Sequence, residues 1–348
     1  MACSSPEKGD HYSGETSKKE APQEETHLAN LKQLTFGGNN AEAYWSFDNT
    51  KLVFQSDYSN WGNKCDQIYM MPVTQNLTDT NTIPQLISTG KGRTTCSYFM
   101  PGDTTIIYAS THLADDACPI DPPKGDKYVW PIHPSYDIFV ADLEGNMKQQ
   151  LTFRDGYDAE ATVSPKGDLV VFTSDRSGDL ELYTMNIDGS DVKQVTTELG
   201  YDGGAFFSPD GTKLIFRSSR PRTEMEKKEY KDLLAKGLVQ PTHMELFVCN
   251  VDGSDMKQIT NLGGANWAPF FHPSGEKIIF SSNHKTKTFP FNLFLINLDG
   301  SGLEQVTFDK TFDSFPMFSP DGKRIVFSSN RDNGGGRATN MFVADWVD

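Results

Sequence analysis

Leu151 to Gly189 reads LTFRDGYDAEATVSPKGDLVVFTSDRSGDLELYTMNIDG, and this stretch carries every signal on which the fold rests. It opens on a Leu-Thr pair and runs through a polar loop to Ser164-Pro165-Lys166-Gly167. A β-branched run, Val170 to Phe172, follows, and the alternating Leu180 to Met185 leads to Asp188-Gly189. Pro presets φ at the second position of a turn and Gly accepts a positive φ at its end, so both points are tight connections between short strands. The alternation between them spells strands with one face buried.

The unit recurs. Its leading pairs are Leu34-Thr35, Leu86-Ile87, Leu151-Thr152, Val195-Thr196, Ile259-Thr260 and Val306-Thr307, spaced by 52, 65, 44, 64 and 47 residues. A basic period of 44 residues with insertions is that of a four-stranded propeller blade. Ser208-Pro209-Asp210-Gly211 and Ser319-Pro320-Asp321-Gly322 repeat the first turn, His272-Pro273-Ser274-Gly275 varies it, and Ser46 to Asn49 and Met100 to Asp103 are degraded copies. The last unit ends on its third strand, from Met341 to Ala344, whereas the first Leu-Thr strand, Leu31 to Thr35, has no strands ahead of it. Joining the two leaves no open sheet edge at the seam. The prediction is an all-β fold over residues 29–348: a six-bladed β-propeller of four antiparallel strands per blade, with the N-terminal strand serving as strand D of the last blade.

Units of the form L-T…S-P-D-G…F-x-S-x-R…Y-x-M-N-x-D-G are similar to the repeat of the TolB-like propeller family, and the similarity runs from residue 31 to 348. The resemblance implies the propeller fold and an exported, periplasmic setting. It implies no single function, because one fold hosts many.

Charge narrows the partners. With 47 Asp and Glu against 32 Lys and Arg, the formal net charge is −15. Nucleic acid and anionic lipid surfaces are repelled, whereas a cationic peptide or a metal ion is compatible with that field. No apolar run is long enough to span a bilayer as a helix. Residues 4–26 are polar and charged, which predicts a flexible tether over residues 1–28. Met1-Ala2-Cys3-Ser4 resembles the start of a bacterial lipoprotein whose signal peptide has been replaced by Met, making Cys3 the lipidation site. The expectation is a monomer of the periplasm or cell surface that contacts the membrane only through a lipid anchor.

In such blades strand A lines the channel, the D–A and B–C loops share one face, and the A–B and C–D turns share the other. The loop face carries both long insertions, at 113–134 and 221–242, and function is expected there. Six residues before the turn serine stand Asn40, Thr94, Asp158, Asp202, Asn266 and Asp313; four before it stand Glu42, Cys96, Glu160, Gly204, Ala268 and Phe315. Strand parity places both sets on one side. Facing the channel, they would ring its mouth with groups that hold a cation, a basic peptide end or water. Alternatively, Asp and Asn cap the D–A turns.

Four residues past the strand-B aromatic, Tyr58, His112, Arg176, Arg220, His284 and Arg331 form a second ring. Arg217, one residue past, is expected to enter the channel and pair with Asp202 or Glu160, or to take a ligand carboxylate. The plainer reading is ion pairing between blades. His112 and His284, with Glu42, Asp158 or Glu160, are of the types that bind a divalent metal, although none stand at a local ligand spacing. No other cofactor is expected.

An exported chain favours disulfides. Cys65, Cys96 and Cys118 all belong near the loop face, while Cys249 reads as a core thiol. The expected bond is Cys96–Cys118, with Cys65–Cys118 as the alternative. The insertion at 221–242 contains a helix with the capping box Thr223-x-x-Glu226, a stop at Gly237 and an apolar stripe of Met225, Tyr230, Leu233 and Leu234. These readings converge on a non-catalytic binding or scaffold propeller of the cell envelope, recognising a peptide, protein or glycan at its loop-face funnel. The alternative is a metal-dependent lyase or hydrolase at the channel mouth; oligogalacturonate lyases, on a related propeller, hold a metal through histidine.

Overall fold

A computed structural model describes residues 24–75, 77 and 82–348, so Cys3 and the greater part of the tether segment lie outside the described residues. Six four-stranded antiparallel sheets form the blades. Their A strands, Asn40–Trp45, Thr94–Phe99, Asp158–Val163, Asp202–Phe207, Asn266–Phe271 and Asp313–Phe318, pack against one another in chain order, and the sixth packs back on the first. In the sixth sheet the outer strand is Leu28–Gln33, paired with Asn340–Trp346. It begins three residues before the position read from the sequence. His27 extends it by stacking on Trp346 at 4.8 Å.

The Leu-Thr repeat has a specific bonding role. The N–H of the aliphatic residue donates to a strand-C carbonyl, and the threonine hydroxyl accepts the N–H of that same strand-C residue. Val306 N bonds Leu293 O at 2.8 Å while Leu293 N bonds Thr307 Oγ1 at 2.9 Å. The same clip closes the blades at Thr35, Thr152, Thr196 and Thr260. In the first blade the partners are Ile87 and the Ser88 hydroxyl, one residue beyond the pair Leu86-Ile87 read from the sequence. A two-residue strand D, such as Glu304–Gln305, can therefore hold its edge without a long ladder. Between blades, the strand-B aromatics Phe54, Tyr108, Phe172, Phe216, Phe280 and Phe327 have no exposed surface. Burial of this kind stabilises by about 1.5–3 kcal/mol per side chain.

Every A strand carries a register shift against strand B. At each shift one residue has a left-handed backbone: Glu42, Cys96, Glu160, Gly204, Ala268 and Phe315, with φ between 46° and 58°. This bulge overturns the parity expectation. Asn40, Thr94, Asp158, Asp202, Asn266 and Asp313 are fully buried within their blades, while the residues two positions later face the channel. Halfway down, Tyr44, Tyr98, Phe206 and Phe270 fill the channel, with ring centres 5.2–6.4 Å apart. Below them a smaller cavity of about 210 Å³ opens between the A–B turns at Pro165, Pro209, Pro273 and Pro320.

The clip predicts that Thr307→Val, which keeps shape but strands the buried Leu293 N–H, lowers unfolding free energy by about 1–3 kcal/mol. Urea denaturation would measure this, and an unchanged midpoint would show that the hydroxyl is not needed.

Candidate functional site

The loop face holds a cavity of about 440 Å³, and all six left-handed strand-A residues line it. Two insertions roof it together. Trp130–Pro131 from the first pairs antiparallel with Leu238–Val239 from the second, and Ile132 N donates to Gly237 O at 2.7 Å. Helix α1 (Glu224–Leu234) precedes the second roof strand, with the capping box of Thr223 and Glu226 formed as expected. Tyr230 is its buried anchor and donates to Asp179, whereas Met225 is 77% exposed and does not join the packed stripe. Lys127 of the first insertion pairs with Glu229 of the helix.

The disulfide that holds the first insertion is Cys65–Cys118, not Cys96–Cys118. The bulge at Cys96 is the reason. It turns that thiol into the channel, where it donates to Glu42 Oε2 at 3.1 Å. Burial pushes the pKa values of the Cys96 thiol and the Tyr44 hydroxyl well up, so both groups keep their protons.

Arg217 enters the channel and chooses Glu160 over Asp202. Its Nη2 also donates to the Tyr201 hydroxyl at 2.7 Å, and its guanidinium lies 5.4 Å from the Trp130 ring and 5.2 Å from that of Tyr201. Glu160 is further held by the Thr173 hydroxyl at 2.7 Å and the Gly204 N–H at 2.9 Å. Burial pushes the Glu160 carboxyl upward, but Arg217 and these donors outweigh it and hold it below its usual range. Two adjacent glycines make the room. A Cβ on Gly204 would lie 1.8 Å from Arg217 Nη1, and one on Gly203 would lie 2.4 Å from Glu160 Oε2. The fourth blade thus has no side chain at the bulge because a neighbouring strand's arginine fills that space.

The second ring does not reach the funnel. Arg176 bonds Asp158 at 3.0 Å, Arg220 grips Asp202 through two bonds, and Arg331 bonds Asp313 at 2.7 Å. Each of these pairs lies within one blade, whereas Arg217–Glu160 joins strands of two blades, which is the plainer reading of pairing between blades. Each guanidinium covers an aromatic face, as Arg176 does Tyr183 at 4.8 Å. His112 and His284 take the same place over Phe139 and Phe294, each with Nδ1 on a serine hydroxyl. They stand on different blades, and neither lines the cavity. No group of three or more His, Cys, Asp or Glu is arranged to hold a metal ion among the described residues. Asn40 and Asn266 donate to backbone carbonyls at 2.8 Å, Gly37 O in the loop before its strand and Met244 O beside strand C of the preceding blade, so neither caps its turn by accepting a backbone N–H through these bonds.

Of the expected site residues, Glu42, Glu160 and Arg217 therefore meet in the funnel, and the others brace the blades. Sequence reading missed Tyr201, Trp267 and Phe312 as wall residues. The signal for Tyr201 was the Gly203-Gly204 pair beside it, since paired glycines in a strand mark close approach.

Glu42 has a different environment from Glu160. Burial, reinforced by Glu160 and Asp66 and opposed by the Cys96 thiol and Arg217, pushes its pKa up to about 7 from an ordinary 4.5. The folded state then keeps a proton that the unfolded chain loses between these values, so stability falls as pH rises through that window and levels off above it. Glu42→Gln removes the effect. Thermal denaturation at pH 5 and pH 8 should show the variant gaining about 2 kcal/mol on the wild type at the higher pH. Parallel curves would mean that Glu42 titrates normally.

The chain matches the model of the TolB beta propeller domain over residues 116–238 and 238–341, more than half its length. Comparison with curated proteins returned no match. Among solved structures, a putative TolB from Agrobacterium tumefaciens superposes with a TM-score of 0.56 at 18% identity, covering 89% of this chain and 91% of that one. TolB from Acinetobacter baumannii superposes with a TM-score of 0.54 at 17% identity, covering 88% of this chain and 64% of the other. At these identities the likeness shows the fold. With the family model matched over residues 116–341, the chain belongs to the TolB beta propeller domain family.

Proposed function

We propose that this propeller is a non-catalytic binding or scaffold protein of the cell envelope, which admits part of a peptide, protein or glycan partner into the roofed funnel. One observation carries the reading. The funnel joins a wall of Trp130, Trp267, Tyr136, Phe312 and Phe315 to a floor of fixed polar groups, Glu42, Glu160 and Arg217. A cavity of about 440 Å³ with apolar sides and a few oriented polar groups is the usual form of a binding site. Arg217 and Glu160 neutralise each other, which fits a role in shaping the floor rather than in moving protons. The family supports an envelope setting. We further propose that the segment ahead of Glu25, whose side chain already bonds Arg331 and Phe308 N of the ring, tethers the propeller to a lipid on Cys3.

Two measurements test this. Binding to a panel of envelope peptides and glycans, read by surface plasmon resonance, should weaken by about an order of magnitude or more in Trp130→Ala, as for an aromatic hot spot, without loss of cooperative unfolding. Equal binding by variant and wild type would place recognition elsewhere. Cell fractionation of the naturally exported protein should find Cys3→Ser in the soluble envelope fraction, and retention in the membrane fraction would exclude the anchor.

A further inference from the structure

The charges facing the funnel do not balance once its internal pairs are removed. Arg217 is held by Glu160. Arg93 is shared by Asp66 at 3.7 Å and Asp121 at 3.1 Å, and Asp121 also meets Lys124 at 2.8 Å and His133 at 3.1 Å. Glu42 remains. Among the described residues it forms no ion pair, and its side chain accepts only the Cys96 thiol. Around it stand Glu160, Asp66, Cys96 and Tyr44, with Arg217 already engaged.

The wall beside this acid is aromatic, and the protein already places a cation against it. The Arg217 guanidinium rests between the rings of Trp130 and Tyr201 and on a carboxylate. Trp267, Phe312 and Phe315 continue the wall. A desolvated carboxylate beside ring faces favours a cation. An alkyl stem would cover the rings while its charged end reaches Glu42.

We propose that the funnel floor at Glu42 binds a primary ammonium group carried on a peptide, either a lysine side chain or a chain amino terminus. This rests on the reading that the funnel is the entry point for a partner. The ammonium supplies both the positive charge and the N–H donors that Glu42 lacks. Its arrival favours the charged carboxylate, so binding releases a proton and weakens in acid.

Isothermal titration of the full chain uses three short peptides, with glucosamine as a non-peptide amine probe. One is an end-blocked Gly-Lys-Gly, the second is the same peptide with norleucine for lysine, and the third is Gly-Gly-Gly with a free amino terminus and a blocked carboxyl end. At least one amine peptide should bind about tenfold or more tighter than the norleucine peptide, and Glu42→Gln should abolish that difference. Which amine binds identifies the source. Equal binding of lysine and norleucine peptides, or an undiminished preference in Glu42→Gln, overturns the ammonium assignment. If Trp130→Ala still abolishes that binding, the funnel reading survives. Binding of glucosamine with neither amine peptide overturns the peptide assignment, as does failure of every probe. Should Glu42→Gln not fold, the wild-type comparison of lysine with norleucine decides alone.

Discussion

A left-handed residue at one place in each inner strand governs the rest of this structure. An ordinary strand alternates its side chains, so residues two apart share a face. Inserting one residue with positive φ breaks that rule at the same height in all six blades. The side chain two positions earlier then turns into the blade, while the bulged residue turns into the channel. Five of the six are not glycine, and such residues cost about 1–2 kcal/mol each in that conformation. The ring tolerates this because the flanking pairs of every bulge are tied into four-stranded sheets. The result is a division of labour: one set of acids and amides fastens loops to blades, and another set reaches the cavity.

The six-fold pattern also explains where it fails. Three blades place Glu42, Cys96 and Glu160 at the bulge, and the other three place Gly204, Ala268 and Phe315. The polar half and the small or apolar half therefore face each other across the funnel. Gly203 and Gly204 admit the Arg217–Glu160 pair, which rigidifies one side. The insertions of the second and fourth blades meet above the third and give the cavity a roof. A symmetric propeller would leave an open, uniformly lined channel; this one has a lid, a floor and an acid without a cation.

Repeat spacing and turn chemistry made the blades legible, because each blade writes its Leu-Thr clip, its turn and its buried strand-B aromatic into a contiguous stretch. Such signals survive insertions. Errors arose where a local rule was extrapolated across a three-dimensional feature. Strand parity groups Asp158 with Glu160, yet the former bonds Arg176 inside its blade and the latter bonds Arg217 in the channel. The cysteine pairing fell to the alternative, Cys65–Cys118, for the same reason, since the bulge directs Cys96 toward Glu42 and leaves Cys65 to meet Cys118. The F-x-S-x-R element looked like a ring of ligand groups, and proved to be a stacked arginine on a serine-anchored loop.

By itself, the amino-acid order determined the number of blades, the place of the closing strand, the capped helix in the second insertion and the face that carries both insertions. Those are properties of periodicity and of short-range hydrogen bonding, which act within a blade. Only the tertiary structure decided which of the acids pair with a cation, because that depends on cations arriving from other strands and on bulges that reorient side chains. It also decided the roof, since Trp130 and Val239 lie 109 residues apart and meet only after both insertions fold over the ring. Burial is the physical reason throughout: a carboxylate removed from water must find a partner, and whether it does is settled by the packed ring rather than by the neighbours in sequence.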